Sequence, residues 1–283
     1  MSKESIEKGN PEQGDFLLVL LAGQSNMAGR GFAESEDLTA IENLLMIRPD
    51  GQWQAAVEPV TRDRDYVGTF DASGNRIEGV DPFETVMPQE GQKVCGVGPG
   101  RTFGRLLAEA NPGKTVGLIP TAVGGTAIRA WLPGGKDQWS ENLYPYDDAV
   151  KKAQLAQKYG KIVAVLWHQG ESDALNQTED YKEKLRTVIA NFRKDLSLGP
   201  EVPFIAGDMG SFYPENIRDH IDIVDQALAV LETEDTSFSC VRTKDLTHRG
   251  DHLHFDTPSQ HLLGKRYFEA YTRFCEKNKS AGT

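Results

Sequence analysis

The sequence predicts a three-layer α/β fold, with a doubly wound parallel sheet of five strands and helices on both faces. Three observations support this prediction. The chain has 283 residues, 39% hydrophobic and 26% charged, which is ordinary for one large globular domain. Five apolar runs of strand length recur along it, and segments of helical periodicity separate them. Such alternation is typical of parallel sheets with right-handed crossovers.

The predicted strands are short runs of Val, Ile, Leu, Ala and Phe. They are FLLVLLA (16–22), TVGLI (115–119), KIVAVLW (161–167), PFIAGDM (203–209) and FSCVRT (238–243). The first four are nearly continuous in hydrophobicity rather than alternating. This pattern indicates strands that are buried on both faces of the sheet.

Five helices are predicted between and after these strands, at 98–113, 146–160, 178–196, 216–232 and 257–277. Pro99 stands near a first-turn position of its segment, and Gly113 follows the end. Thr178 is the expected cap of the third helix. Thr257 opens a capping box, Thr-Pro-Ser-Gln, at the start of the last.

The domain prediction is a single unit over residues 15–276, with flexible tails at 1–14 and 277–283. Residues 34–98 are rich in Gly, Asp, Arg and Pro and contain only short apolar pieces. A long irregular insertion in a compact domain is usually a functional loop region.

The composition argues against several classes of protein. A net charge of −11 disfavours nucleic acid and anionic membranes as partners, because both require basic patches. Three widely separated cysteines predict neither a disulfide framework nor a zinc knuckle. The polar N-terminus has no secretory signal, and no run approaches the roughly 20 apolar residues of a membrane span. We therefore expect a soluble, cytoplasmic protein; the sequence carries no signal of its oligomeric state.

Polar motifs follow three of the predicted strands. Gly23-Gln24-Ser25-Asn26 comes directly after the first strand and presents Ser25 either as a turn residue or as a nucleophile. It is not the nucleophile elbow of α/β-hydrolases, because Met27 stands where that motif needs Gly. After the second strand, Gly124 and Gly125 offer unhindered N–H donors or form a tight loop.

The third strand runs into LWHQGESD, in which five polar side chains crowd one strand exit: His168, Gln169, Glu171, Ser172 and Asp173. Such a cluster at a sheet's carboxyl edge indicates a site.

A fourth motif, HRGDHLHFDTPSQH, lies between the last strand and the last helix. Asp251 and His254 are spaced so that the carboxylate can reach the imidazole, as in a catalytic triad. Two other interpretations stay open. One is a helix-capping acid beside a surface histidine. The other is a metal site formed by His248, His252, His254 and Asp256, with His168 joining them.

Together these motifs contain the components of acyl transfer: a nucleophile, a base with its orienting acid, and oxyanion donors. In order, LLAGQSNMAGRG, GVGPGRTFGRLL, AVGGTAIRAW, WHQGESD and DHLHFD…LGKRY resemble the SGNH-hydrolase superfamily. The sequence is most similar to carbohydrate esterase family 6 and the sialate O-acetylesterases, over about residues 16–271. This resemblance implies a flavodoxin-like sheet and removal of acetyl groups from sugars, without a metal or other cofactor.

The resemblance also implies roles for individual residues. Ser25 matches the family's nucleophile, His254 its base and Asp251 its orienting acid. The expected oxyanion donors are the N–H groups of Ser25 and Gly125, with Gly124 as the alternative, and the side chain of Gln169.

Four further residues are expected to brace these loops: Gln24, Asn26, Glu171 and Arg129. Of these, Glu171 is expected to fix the amide of Gln169. Trp131 and Trp53 are candidates for stacking on a sugar ring, although a core role fits either equally well.

The predicted function is hydrolysis of O-acetyl groups from a carbohydrate, such as an acetylated xylo-oligosaccharide, through a Ser-His-Asp triad and an acyl-enzyme. The alternatives are a sialate O-acetylesterase, a general short-chain carboxylesterase, and a non-catalytic carbohydrate-binding protein on the same fold. A metal-dependent phosphoesterase is disfavoured, because the chain is acidic and has no glycine-rich phosphate loop with Lys.

Overall fold

The structure of the protein, a computed structural model, describes residues 15–79, 81 and 83–281. Its strands are β1 (Phe16–Gly23), β2 (Gly31–Phe32), β3 (Leu44–Ile47), β4 (Trp53–Ala55), β5 (Gly68–Phe70), β6 (Arg76–Ile77), β7 (Lys93–Val97), β8 (Val116–Pro120), β9 (Gly160–His168), β10 (Phe204–Gly207) and β11 (Phe238–Val241). Its α-helices are α1 (Ser25–Ala28), α2 (Pro99–Ala110), α3 (Pro145–Ala156), α4 (Glu171–Leu175), α5 (Tyr181–Asp195), α6 (Glu215–Glu234) and α7 (Thr257–Ala281), and a 3-10 helix spans Ile128–Trp131.

The central sheet has seven strands in the order β11-β10-β9-β1-β8-β3-β4. All five predicted strands are present and pair in parallel. The predicted strand count was wrong, because the insertion at 34–98 supplies β3, parallel to β8, and the antiparallel edge strand β4. The same insertion contributes to a second, antiparallel sheet in the order β2-β7-β5-β6.

Two hydrophobic cores cover the two faces of the central sheet, so the predicted three-layer architecture is confirmed. Along β1, Leu18 and Leu20 belong to the core beneath α3, α5 and α6, whereas Val19 and Leu21 belong to the core beneath α2 and α7. Successive side chains of a strand point to opposite faces, which explains the continuous apolar run.

All five predicted helices form, but two of their predicted starts were wrong. The third begins after Asp180 rather than at a Thr178 cap. At the start of α7, Asp256 accepts a hydrogen bond from the Ser259 N–H at 3.0 Å, while the Thr257 hydroxyl donates to a backbone carbonyl of β2. Asp256, one residue before the predicted Thr257, therefore caps this helix.

The last helix continues through residue 281, so residues 277–281 are helical rather than part of a tail. The predicted tail at 1–14 lies outside the described residues. No helix among residues 15–79, 81 and 83–281 is long and apolar enough to cross a bilayer.

The polar motifs meet at one edge of the sheet because β1, β8 and β9 are adjacent and parallel. Their carboxyl ends lead directly into residues 24–26, 121–126 and 169–173. In open α/β sheets, ligands bind in the crevice at this edge.

Candidate active site

Ser25 is presented by a sharp turn between β1 and α1. Gly23 has φ +126°, and a Cβ there would lie 2.2 Å from the carbonyl oxygen of His168, so only glycine fits this close approach. The Gln24 N–H donates to the same oxygen at 2.8 Å. The turn leaves Ser25 as the first residue of α1, only 4% exposed.

Ser25, His254 and Asp251 form a continuous hydrogen-bonded chain. Ser25 Oγ lies 3.0 Å from His254 Nε2, and His254 Nδ1 lies 2.8 Å from Asp251 Oδ2. The other carboxylate oxygen, Oδ1, accepts the backbone N–H groups of His254 at 2.8 Å and Leu253 at 3.0 Å. The carboxylate therefore fixes both the imidazole and the backbone that carries it.

The protonation states of this chain follow from its surroundings. Burial opposes ionisation of Asp251, but hydrogen bonds from His254 and Arg249 outweigh it and lower the pKa of Asp251. Burial lowers the pKa of His254 despite the opposing effect of Asp251. At neutral pH the acid is thus ionised and accepts Nδ1–H, which leaves Nε2 of a neutral imidazole to accept the proton of Ser25.

Asn26 connects the nucleophile turn to the loop that carries the histidine. Its Oδ1 accepts the N–H of Phe255 at 3.1 Å, and its Nδ2 donates to the carbonyl of Leu253 at 3.1 Å. These two residues flank His254, so one side chain holds both sides of the base. The same Nδ2 donates to Glu171 Oε1 at 2.5 Å.

The two N–H groups of the glycine pair after β8 differ in their hydrogen bonding. Gly124 N donates to Asp63 Oδ2 at 2.6 Å, and Arg64 Nη2 donates to the Gly124 carbonyl at 2.7 Å. Gly125, with φ +78°, lines the pocket, and its N–H has no acceptor among the described residues. The Gly124 N–H is therefore already bonded, whereas that of Gly125 is without an acceptor among the described residues.

Gln169 does not reach the pocket, contrary to its predicted role as a donor. Its side chain is 0% exposed and is absent from the pocket wall. Its Nε2 donates to Asp173 Oδ2 at 2.5 Å, to the Thr126 carbonyl at 3.1 Å and to Gln24 Oε1 at 3.2 Å. An amide with all its N–H groups engaged in this way acts as an internal brace.

Gln24 lines the pocket beside Ser25. Its Oε1 accepts the Nε2–H of Gln169 at 3.2 Å and the backbone N–H groups of Ser172 at 3.3 Å and Gly170 at 3.4 Å. Because three N–H donors meet this atom, it must be the amide oxygen of Gln24 and not the amide nitrogen. Its Nε2 is left without a partner among the described residues.

Two buried acids support these loops, and their roles differ from the prediction. Asp173 holds the amide of Gln169, a role predicted for Glu171; its Oδ2 also accepts the Ile128 N–H at 2.7 Å. Glu171 instead holds Asn26. Burial raises the pKa of both carboxyl groups.

Arg129 is exposed and braces the loop of Gly124 and Gly125 through the side chain of Gln138. Its Nη2 donates to Gln138 Oε1 at 3.0 Å, and Gln138 Nε2 donates to the carbonyl of Gly125 at 3.3 Å.

The pocket over the triad has a volume of about 320 Å³. Two exposed aromatic side chains stand in its wall, Trp139 at 72% and Tyr66 at 50% exposure. A Cβ on Gly125 would lie 3.1 Å from Trp139 Nε1, which places the indole over the loop of Gly124 and Gly125. Sequence reasoning missed both residues, although a tryptophan in the polar segment GGKDQWSEN is a signal of exposure.

The two tryptophans predicted to contact sugar lie elsewhere. Trp131 is 0% exposed and packs edge-on against Trp167, with its Nε1 donating to Thr126 Oγ1 at 3.0 Å. Trp53 lies in β4 and packs edge-on against Phe16 at 5.0 Å. Neither lines the pocket: Trp131 is buried in the core, and the half-buried Trp53 lies in the edge strand β4.

Arg249 is a third residue that sequence reasoning missed. Its Nε donates to Asp251 Oδ2 at 2.8 Å, the same oxygen that accepts from His254, and its Nη1 donates to the Arg30 carbonyl at 2.8 Å. A cation at this position favours the ionised carboxylate.

The residues of the alternative metal interpretation do not come together as one set of ligands, although the rings of His248 and His252 lie 4.1 Å apart. His168 is buried in the core against Phe255, and burial lowers its pKa to about 3. Asp256 caps α7, and His254 is held by Asp251. Across the part of the chain that the structure describes, no three His, Cys, Asp or Glu side chains gather into a set that could hold a metal ion.

Comparison with protein families now identifies the chain at family level. Residues 15–273 match the family described as carbohydrate esterase, sialic acid-specific acetylesterase. The chain belongs to this family. The resemblance seen in the sequence motifs is thereby confirmed.

Relatives of this esterase family extend the comparison. A probable carbohydrate esterase of Arabidopsis thaliana, At4g34215, is 31% identical over 280 residues, covering 91% of each chain. The crystal structure of At4g34215 superposes with a TM-score of 0.70 at 29% identity, covering 92% of this chain and 98% of that one. The crystal structure of NanS shares the fold, with a TM-score of 0.69 at 17% identity over 94% and 99% of the two chains.

Proposed function

We propose that this protein is a serine esterase that removes O-acetyl groups from a carbohydrate. The observation that carries the proposal is the hydrogen-bonded chain from Ser25 through His254 to Asp251, with distances of 3.0 and 2.8 Å. It opens onto a pocket in which N–H donors lie beside the nucleophile. Membership in a carbohydrate esterase family supports the same reaction.

In the first half of the reaction, His254 Nε2 takes the proton of Ser25 as Oγ attacks the acetyl carbonyl carbon. Asp251 holds the imidazole and stabilises its positive charge. His254 then gives that proton to the departing sugar oxygen, and the acetyl group remains on Ser25. In the second half, water loses a proton to His254 as it attacks the acetyl-serine. His254 then returns this proton to Ser25 Oγ as the bond between Ser25 and the acetyl group breaks, which releases acetic acid, ionised to acetate at neutral pH, and restores the free hydroxyl.

The developing oxyanion is met by three donors: the N–H of Ser25, the N–H of Gly125 and the Nε2 of Gln24. The two backbone groups have no acceptor among the described residues, and the three N–H groups bound to Gln24 Oε1 direct its Nε2 away from them. Gln169 holds Gln24 in this orientation. Gln24 thus takes the role that the sequence predicted for Gln169.

A neutral sugar fits the pocket better than a sialic acid. No Lys or Arg is among the described residues of its wall, and the Glu171 carboxyl group lies there with an unpartnered oxygen. A sialic acid carboxylate would find no cation in this pocket. An acetylated neutral oligosaccharide, such as an acetylated xylo-oligosaccharide, is therefore the proposed substrate, with Trp139 and Tyr66 facing its rings.

Acetate release from a panel of esters tests the proposal. Wild-type protein should hydrolyse acetylated xylo-oligosaccharides and p-nitrophenyl acetate, prefer the former over O-acetylated sialic acid, and label with a fluorophosphonate. Ser25→Ala should lose both turnover and labelling. Turnover retained by Ser25→Ala would remove Ser25 as the nucleophile, and sugar binding without labelling would indicate a non-catalytic carbohydrate-binding protein.

A further inference from the structure

A second cavity of about 200 Å³ lies at the carboxyl ends of β3 and β8, and it shares no wall residue with the triad pocket. Its wall is largely apolar and is formed by side chains from β3, the 34–98 insertion and the segment before α3, including Met46, Ile47, Val60, Phe83 and Leu143. The crevice at strand carboxyl ends is where open α/β sheets bind ligands.

Two cations face this cavity, and neither forms an ion pair with any residue that the structure describes. Arg62 Nη2 donates to Thr85 Oγ1 at 2.7 Å, and Lys152 Nζ donates to the carbonyl of Pro120 at 2.8 Å. Burial lowers the pKa of Lys152 to about 8, so its amine is still mostly protonated at neutral pH. Two unpaired cations facing one cavity are unusual in a chain of net charge −11.

The other charged groups of the wall are already paired. Arg48 pairs with Asp81 at 2.6 Å, and Asp63 pairs with Arg30 at 2.7 Å. The Asp148 carboxylate accepts the backbone N–H of Tyr144 at 3.0 Å and lies 3.7 Å from the Lys151 ammonium. The Asp148 charge also acts on Lys152. The wall as a whole, with Arg48, Arg62 and Lys152 against Asp63 and Asp148, still carries one net positive charge.

Unused hydrogen-bond donors point to the same ligand chemistry. The Thr61 side chain is 5% exposed and lines the cavity, and its Oγ1 has no partner. The Nε of Arg62 is likewise buried without an acceptor. A buried donor without an acceptor is unfavourable, and a ligand that supplies acceptor oxygens would satisfy it.

We propose that this cavity is a binding site for a small organic carboxylate with an apolar body. The carboxylate pairs with Lys152 and Arg62 and accepts the hydroxyl of Thr61, while the body packs on the apolar wall. This site is separate from the esterase chemistry and does not depend on it.

Calorimetric titration of the full chain with sodium benzoate tests the site, with benzamide as the uncharged control at matched ionic strength. We expect saturable benzoate binding at one site, at least tenfold tighter than benzamide. Lys152→Met should weaken benzoate binding roughly tenfold or more, since it removes a charge-assisted contact. Lys158→Met, which removes an exposed lysine just beyond the same helix and outside the cavity wall, should leave binding unchanged.

Thr61→Val keeps the shape of the side chain and removes only the hydroxyl, so it should fold normally and weaken benzoate binding severalfold. Ser25→Ala should bind benzoate as the wild type does, whether or not the protein is an esterase. Absence of saturable binding, equal affinity for benzamide, or unchanged affinity in both Lys152→Met and Thr61→Val would overturn the proposal.

Discussion

Replacing Gln24 or Gln169 by Glu distinguishes the roles of these two glutamines, because the first change should affect the rate and the second the stability. In Gln24→Glu, one carboxylate oxygen still accepts the three N–H groups of Gln169, Gly170 and Ser172. The other oxygen takes the place of Nε2. The variant therefore keeps the internal hydrogen bonds of the wild type and loses the Nε2 donor that we propose for the oxyanion.

The expected effect on rate follows from this exchange. Loss of one oxyanion donor costs about 3–4 kcal/mol of transition-state stabilisation, or 10²- to 10³-fold in kcat. A carboxylate oxygen also repels the developing oxyanion, so the loss should reach at least the upper end of this range. Because three donors still bind Glu at position 24, the free energy of unfolding should change by only about 1 kcal/mol.

The matching change at Gln169 should act on folding instead. In Gln169→Glu, an oxygen would replace Nε2 opposite three acceptors: Asp173 Oδ2, the Thr126 carbonyl and Gln24 Oε1. Each of these three buried acceptors would lose the N–H of Gln169, and the new carboxylate would meet that of Asp173 in the core. We expect a loss of about 3 kcal/mol or more in the free energy of unfolding.

Two measurements separate these outcomes: kcat and KM for p-nitrophenyl acetate, and urea unfolding followed by fluorescence. Gln52→Glu, at an exposed position outside the pocket wall, controls for the added charge. The assignment would be refuted if Gln24→Glu kept its rate within threefold of the wild type. A Gln169→Glu variant of normal stability that lost 100-fold in kcat would show that Gln169 is the donor.

Three further changes test separate parts of the structure. The charge of Arg249 helps to lower the pKa of His254, so Arg249→Met should raise that pKa. The acidic limb of the kcat/KM profile, measured between pH 5 and 9, should then move to higher pH. A limb that stays at the same pH would contradict the electrostatic role of Arg249. Burial raises the pKa of Glu58 from 4.5 to about 7, so its contribution to stability is present below pH 4.5 and is lost as pH rises through 7. In Glu58→Gln, the fall in the free energy of unfolding between pH 4.5 and 7.5, measured with urea, should be smaller by up to about 3 kcal/mol. A fall equal to that of the wild type would contradict the raised pKa of Glu58. Trp139→Ala should raise KM roughly tenfold for an acetylated oligosaccharide and less than twofold for p-nitrophenyl acetate, and equal effects on both would exclude a sugar contact.

The fold was predictable where burial leaves a strong pattern. The strands at 16–22, 115–119 and 161–167 lie in the middle of the sheet with both faces covered, so nearly every residue is apolar. By contrast, β3 contributes only Leu44–Ile47, and β4 lies at the edge with intermediate burial throughout. Short or half-covered strands within a polar insertion carry too weak a pattern to be distinguished from loop.

The proximity of the triad residues was predictable because it depends on local order in two loops. Asp251 and His254 are three residues apart, and Ser25 directly follows the turn of β1, so the placement of strand ends brings them together. The choice between Gln24 and Gln169 depended on which amide is surrounded by acceptors. The surroundings of each amide depend on how three loops pack together, and the motifs GQSN and WHQGESD carry no information on this packing.

Asn26 explains how loops 229 residues apart in sequence hold atoms at hydrogen-bond distance. A catalytic hydrogen bond between Ser25 and His254 is too weak to position two loops, since one such bond contributes about 1 kcal/mol. Asn26 joins the turn of Ser25 to the residues on both sides of His254, and buried Glu171 holds its Nδ2. The contacts that bring the two loops together therefore lie next to the reacting atoms but not on them, and Ser25 Oγ and His254 Nε2 remain free to exchange a proton.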